Sequence, residues 1–88
     1  MKRHSNMEEI AKRIRDFIGD NFLFGDFNGF DDDSSFLGEG IIDSTGALEL
    51  VSFIEETFNI HVEDDELIPE YLDSIHNITG YLGKKLHV

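Results

Sequence analysis

Apolar positions recur at helical spacing in three segments of the chain. The first segment predicts an amphipathic helix over about residues 6 to 23. Ser5 and Glu8 stand three positions apart at its start, which is the capping-box pattern. The apolar positions of this helix recur at steps of three and four residues, and they are Met7, Ile10, Ala11, Ile14, Phe17, Ile18 and Phe22.

The second segment predicts a helix from Ser44 to about Asn59, with Asp43 or Ser44 as its N-cap. An inward stripe is formed by Ala47, Leu50, Val51, Ile54 and Phe58. An outward stripe is formed by Thr45, Glu49, Ser52 and Glu56, flanked by Leu48 and Glu55. This helix therefore has one apolar face and one face of mixed polar, acidic and apolar character.

The third segment predicts a last helix over about residues 74 to 86, begun by the cap signal Asp73-Ser74. An acidic piece, Glu63 to Glu66, lies between the second and third segments. Pro69 limits any helix that precedes the last one to a turn or two. The order is therefore long helix, long connection, helix, short helix, helix.

Residues 25 to 43 contain four glycines and no helical period, which predicts a long loop between the first two helices. Its expected anchors are Phe27, Phe30, Phe36, Leu37 and Ile41. We expect one all-α domain over residues 1 to 88, a small four-helix bundle of three main helices and one short one. Its core is predicted from Ile10, Ile14, Phe17, Leu50, Ile54, Phe58, Ile75, Ile78 and Leu82.

Charge is distributed unevenly along the chain. Seven Lys and Arg against 19 Asp and Glu give a net charge of −12, and no Lys or Arg lies between residues 16 and 83. This acidic block argues against nucleic acid, because phosphates bind Lys and Arg. It favours partners with basic patches, although a solvated acidic surface that keeps a small protein soluble explains the block equally well.

Amino-acid composition further limits the chemistry and the cellular location that we expect for this chain. The chain has no Cys, which excludes disulfides, thiolate metal sites and a protein thiol nucleophile. No apolar run approaches the ~20 residues that span a bilayer, and the basic N-terminus lacks the apolar segment of a signal peptide. We therefore expect a cytoplasmic protein without membrane insertion, and a monomer.

Two chemical motifs are incomplete in this sequence. An EF-hand loop begun at Asp31 would need Gly at its sixth position and Glu at its twelfth, which here are Phe36 and Ile42. A nucleophile elbow around Ser44 would need Gly at position 42, which is the same isoleucine. The four histidines lack obvious catalytic partners. We expect neither a metal site nor enzymatic activity.

The junction at Ser44 has a simple explanation as a helix cap, but that explanation is incomplete. Asp43 and Ser44 are two adjacent capping residues, and one of them is redundant. Gly46 in the first turn costs the helix up to ~1 kcal/mol relative to Ala. A serine presented beside a mixed apolar and acidic face is typical of a docking surface.

The stretch DSTGALELVSFIEETFNIHVEDDEL, residues 43 to 67, resembles the signature of the acyl carrier protein family. The Asp-Ser of that signature matches Asp43 and Ser44, and its Glu-Leu-Val matches residues 49 to 51. Its acidic pair before a Phe matches Glu55, Glu56 and Phe58, and its β-branched residue before an acidic run matches Val62. The similarity extends over about residues 37 to 78.

The resemblance implies that Ser44 carries covalent 4'-phosphopantetheine, with Asp43 beside it. It implies that this phosphopantetheine arm carries acyl or aminoacyl groups as thioesters on its thiol. Partners implied are a phosphopantetheinyl transferase, an acyl- or aminoacyl-activating ligase and acyltransferases with basic docking patches. The expected docking face is Thr45, Leu48, Glu49, Ser52, Glu55 and Glu56.

Three positions depart from the pattern of fatty-acid carriers, which usually have Leu at the position of Thr45, an acid at Gly46 and an apolar residue at Ser52. The departures predict a specialised carrier for a lipid, polyketide or related biosynthetic pathway. The alternative is a small acidic interaction module without a prosthetic group, in which Ser44 only caps the helix.

Overall fold

The computed structural model describes residues 7–87, and these residues form helices and turns without a β-strand. The predicted all-α class is confirmed. Ser5 and Asn6, where the first capping box was predicted, lie outside the described residues. The α-helices are α1 Met7–Ile18, α2 Ser44–Phe58, α3 Pro69–Leu72 and α4 Ile75–Leu86.

The first helix ends in a π-helical turn, Gly19–Leu23. Ile10, Ile14 and Ile18 are fully buried on one face of α1 and pack toward α4. The wider π turn moves the following side chains out of the α-helical register. It closes at Phe24, whose backbone is left-handed with φ 52° and whose N–H donates to the Gly19 carbonyl.

Turns and irregular segments form the connection between the π turn and α2, and hydrogen bonds hold this connection against the rest of the fold. Phe36 is its most buried side chain, at 2% exposure, and its N–H donates to the Asp73 carbonyl at 2.8 Å. The Asp73 carboxylate also accepts from the Leu37 N–H and the Ser35 hydroxyl. One acidic residue before α4 therefore holds three consecutive residues of the connection.

A second fastening joins the same connection to α1 and α4. Arg15 donates from Nη2 and Nε to the two carboxylate oxygens of Asp32, at 2.7 and 3.2 Å. The His76 N–H, in the first turn of α4, donates to the Asp32 carbonyl at 2.8 Å. A bidentate Arg–carboxylate pair fixes geometry as well as distance, so this part of the connection has a defined position.

The acidic piece before α3 forms a 3₁₀ turn, Asp64–Glu66, which packs against α4. Glu66 Oε1 accepts from the Tyr81 hydroxyl at 2.8 Å and lies 2.9 Å from Lys85 Nζ. Hydrogen bonds from the Glu63 backbone, Lys85 and Tyr81 lower the pKa of Glu66 to about 2. The tyrosine's burial and its bond to this carboxylate raise the pKa of Tyr81.

The buried core matches most of the predicted one. Eight of the nine predicted residues are buried, and Phe17 is only partly buried against the core. Ala47, predicted to point inward, is exposed. Side chains that complete the core without having been predicted for it are Ile18, Phe36, Ile42, Val62 and Tyr81.

Candidate functional site

Asp43 is the residue that caps α2. Its backbone is extended, its Oδ1 accepts from the Gly46 N–H at 2.8 Å, and its carbonyl accepts from the Ala47 N–H at 2.9 Å. Ser44 is the first helical residue rather than the cap. Of the two N-caps that the sequence allowed, Asp43 is therefore the one that α2 uses, and the apparent redundancy of two capping residues is resolved.

Ser44 is exposed at the start of α2. Its hydroxyl makes no hydrogen bond to any atom of residues 7–87, and neither the Ser44 N–H nor the Thr45 N–H has an acceptor there. Free N–H groups and the partial positive charge of a helix N-terminus favour an anionic group at this position. The site thus combines a free hydroxyl with two free backbone donors.

Because Asp43 caps the helix and Ser44 does not, replacing each of them with alanine should affect the stability of the fold differently. We expect Asp43→Ala to reduce the free energy of unfolding by about 0.5–2 kcal/mol, because a cap hydrogen bond is lost. Ser44→Ala should change it by no more than about 0.5 kcal/mol, as for other exposed positions. Urea denaturation of both variants checks this, and a larger loss for Ser44→Ala would contradict the assignment of the cap.

Gly46 is buried, although it lies in the first turn of α2. A Cβ at this position would stand 2.8 Å from Cε1 of Phe22 and 3.1 Å from Cγ2 of Ile42. The glycine therefore allows the end of the π turn to pack closely against the start of α2. This packing explains one departure from the fatty-acid carrier pattern by structure rather than by partner recognition.

Five of the six predicted docking residues share one shallow surface along α2. They are Thr45, Leu48, Glu49, Ser52 and Glu56, and the surface is completed by Phe17, Asn21 and Phe53. The rings of Phe17 and Phe53 are stacked with centroids 4.1 Å apart, which gives this surface an aromatic floor that sequence reasoning missed.

The carboxylates of this surface are available to a partner. Within the described part of the chain, neither Glu49 nor Glu56 has a hydrogen bond or an ion pair through its side chain. Both are exposed, and they lie two helical turns apart on the same side of α2. Two unpaired carboxylates beside an apolar surface fit a partner that carries cationic side chains.

Glu55 is placed differently from the other five predicted docking residues. Its Oε2 accepts from the Val62 N–H at 2.9 Å and lies 3.3 Å from Nδ1 of His61. It thus fastens the connection that follows α2. The helical spacing did not predict this contact, because its partner Val62 lies seven positions further along the chain.

An apolar groove of about 260 Å³ opens on the other side of α2. Ala47 and Leu48 line it one turn beyond Ser44, and the exposed side chains of Leu37 and Leu67 border it. The remaining lining is Phe36, Ile42, Leu50, Val51, Ile68, Pro69, Leu72 and Asp73. Leu48 therefore belongs to both the groove and the shallow surface along α2.

The acidic triplet 31–33 is engaged in contacts within the chain. Asp31 Oδ1 accepts from the Asp33 N–H and the Ser34 hydroxyl, and Asp33 lies 3.6 Å from Nδ1 of His76. Residues 7–87 contain no cluster of three His, Cys, Asp or Glu side chains with the geometry of a metal site. Every helix in that range is too short or too polar to cross a lipid bilayer.

The excess of negative charge predicts a stability that depends on salt. Raising the ionic strength from about 10 mM to about 0.3 M shortens the Debye length and screens repulsion among carboxylates. We expect the melting temperature to rise by several degrees, since about 1 kcal/mol corresponds to roughly 4–8 °C in a domain this small. A double Glu49→Gln/Glu56→Gln variant should gain stability mainly at low salt, and an unchanged melting temperature across the series would refute the prediction.

Comparison of the chain with known protein families, curated proteins and solved structures gives no match.

Proposed function

We propose that this protein is an acyl carrier protein that holds its cargo as a thioester on 4'-phosphopantetheine attached to Ser44. The observation that carries the proposal is the division of tasks at the start of α2. Asp43 satisfies the helix cap, and the Ser44 hydroxyl beside it stays exposed and free within the described residues. The motif resemblance over residues 37 to 78 supplies the identity of the group.

The residues around Ser44 fit a phosphodiester. The free N–H groups of Ser44 and Thr45 are oriented as donors at the N-terminus of a helix of 15 residues. The carboxylate of Asp43 is occupied by the Gly46 N–H, which reduces its conflict with a phosphate. The arm would begin at a rigid helical residue, as a swinging carrier requires.

The attachment reaction needs no catalytic group from this chain. Ser44 Oγ forms a bond to the phosphorus next to pantetheine in coenzyme A, the diphosphate bond breaks, and adenosine 3',5'-bisphosphate leaves. The transferase supplies the base that takes the hydroxyl proton and the magnesium ion that stabilises the leaving diphosphate oxygen. The chain is then the substrate of a transferase and not itself an enzyme.

The apolar groove favours an acyl cargo over a polar aminoacyl one. Its lining is apolar except for Asp73, whose carboxylate is bonded to Ser35 and Leu37. Burial of a hydrocarbon chain there is favourable by about 25 cal/mol per Å² of apolar surface removed from water. The groove begins one turn from Ser44, at Ala47 and Leu48, so it is within reach of a chain carried on an arm at that serine.

The docking surface supports a carrier that visits several partners. Carboxylates of Glu49 and Glu56 attract basic patches, and electrostatic steering raises association rates without requiring tight binding. Leu48 and the Phe17–Phe53 stack add apolar contact. Transferase, activating ligase and acyltransferases would use this surface in turn, as part of a specialised lipid, polyketide or related pathway.

The arrangement of elements supports the same proposal. Three longer helices, one short helix before the last of them and a long connection ahead of α2 agree with the element order that the resemblance implies. Ser44 lies at the start of the second helix in that arrangement.

Intact-mass measurement tests the proposal. The purified chain is incubated with coenzyme A, magnesium and a broad-specificity phosphopantetheinyl transferase. We expect wild type to gain the mass of one phosphopantetheine and Ser44→Ala to gain none. The loss should be complete, because the acceptor oxygen is removed while the cap and the fold are retained.

Ser52→Ala is the matched control, because Ser52 is another exposed serine on α2. This variant should still be modified to completion, even if more slowly. If folded wild-type chain gains no mass, the carrier proposal fails and the acidic interaction module takes its place. If Ser44→Ala is modified, the attachment site is wrong.

A further inference from the structure

Phe24 is exposed to solvent, and its backbone has a left-handed conformation that is unfavourable for phenylalanine. Its side chain is 84% exposed, which is the highest exposure among the large exposed apolar residues of the described chain. Its φ of 52° lies in the left-handed region, where a non-glycine residue costs roughly 1–2 kcal/mol. Gly or Asn at this C-cap would remove most of that cost.

The fold gives no reason for an aromatic residue at this position. The closing hydrogen bond of the π turn uses the Phe24 backbone N–H, which any residue except proline provides. The Phe24 ring has no aromatic contact within residues 7–87. At least one such contact is made by each of Phe17, Phe22, Phe27, Phe30, Phe36 and Phe53. Residues that break local rules without a structural gain are expected at functional positions.

Phe24 follows a segment that packs against the start of α2. The Phe22 ring packs on Gly46, and Asn21 shares the docking surface with Thr45. Phe24 is two residues beyond Phe22, so its Cα is within about 7 Å of that residue's Cα. The end of the first helix therefore lies beside the start of α2, and Phe24 is exposed at that end.

Charge identifies the chemistry of the surface that would receive the ring. Asp20 and Asp26 flank Phe24 in the chain, both are exposed, and no Lys or Arg occurs between residues 16 and 83. A complementary surface has an apolar pocket bordered by Lys or Arg. Exposed aromatic anchors that enter such pockets commonly dominate the binding energy of an interface.

We propose that Phe24 is a docking residue for the enzyme that modifies Ser44, and that its ring enters an apolar pocket with a cationic rim on that enzyme. This inference rests on the proposed function and adds to it a second contact at the end of the first helix. The strained conformation at Phe24 is the cost in stability of presenting that contact.

Steady-state kinetics of arm attachment test the proposal, with wild type, Phe24→Asn and Met7→Asn as acceptors. Asn tolerates the left-handed conformation, so Phe24→Asn should keep or raise the melting temperature. Its KM should rise about tenfold or more with little change in kcat, as for loss of a central aromatic anchor. Met7 is an exposed apolar residue at the opposite end of α1, and Met7→Asn should keep the wild-type KM.

Each outcome has a definite meaning. Equal KM values for wild type and Phe24→Asn would overturn the inference while leaving the carrier function intact. A lower melting temperature for Phe24→Asn would assign the ring a structural role and would also overturn it. If wild type is not modified at all, the proposed function fails first, and the inference fails with it.

Discussion

Phe36→Ala is expected to reduce the free energy of unfolding by about 3–5 kcal/mol, the usual cost of removing a buried phenylalanine. The ring is 2% exposed and stacks on Phe30 with centroids 6.0 Å apart. It is the most buried apolar side chain of the connection before α2, so its loss leaves a cavity that the connection alone cannot refill. For a chain of 88 residues with roughly 4–13 kcal/mol of stability, this is a large fraction.

Chemical denaturation measures the effect, and two variants make it interpretable. Leu37→Ala changes the next residue, which is 60% exposed, and should cost no more than about 0.5 kcal/mol. Phe36→Leu keeps an apolar side chain and should lose less than Phe36→Ala while remaining folded. Equal effects of Phe36→Ala and Leu37→Ala would show that the connection is not held by its aromatic residue.

Substitution of Phe36 also tests whether stability and arm attachment depend on different residues. Phe36 lines the apolar groove, but Ser44 is held by the Asp43 cap at the other end of this connection. We therefore expect a folded Phe36→Leu chain to accept the arm as wild type does. A weaker retention of an apolar cargo, with unchanged arm attachment, would assign Phe36 to the groove wall.

Helix positions could be predicted from the sequence because their signals are local. The Asp43 cap and the apolar period define the start of α2, and the Ser74 side chain caps α4 by accepting from the Asn77 N–H. Pro69 is the first residue of α3, where a proline is tolerated, and α3 ends just before the Ser74 cap of α4. These features depend on residues within a few positions of each other, so one sequence contains them.

Contacts between distant residues could not be predicted in the same way. Asp73 holds residues 35 to 37, and Glu55 accepts from the Val62 N–H, although nothing in the spacing of either carboxylate indicates these partners. The π turn likewise follows from packing and not from a periodic signal. Ala47 was predicted inward because helical spacing alone does not show which face meets a groove that is open to solvent.

Gly46→Ala should destabilise the fold by about 1–3 kcal/mol, although helix propensity alone predicts a gain of up to about 1 kcal/mol. The added methyl carbon would stand 2.8 Å from the Phe22 ring, which is too close without movement. The ring cannot simply turn away, because it packs edge-to-face on Phe17 with centroids 5.9 Å apart. Steric strain at the start of α2 therefore outweighs the propensity gain.

Gly80 provides the matched control. It lies within α4, it is exposed, and a Cβ there would meet no other atom within 4 Å. Gly80→Ala should consequently stabilise the chain by about 0.5–1 kcal/mol, as expected for a glycine in a helix interior. The same chemical change in two helices is thus predicted to have opposite signs, and two stabilising results would contradict the close packing at Gly46.

A double-mutant cycle assigns the strain to its partner. In a Phe22→Leu background the side chain facing Gly46 is smaller and more flexible, so Gly46→Ala should cost less there than in wild type. An unchanged cost would place the strain at Ile42, whose Cγ2 would lie 3.1 Å from the new Cβ. A large coupling energy would show that the π turn after α1 and the start of α2, two residues from Ser44, are energetically coupled through this contact.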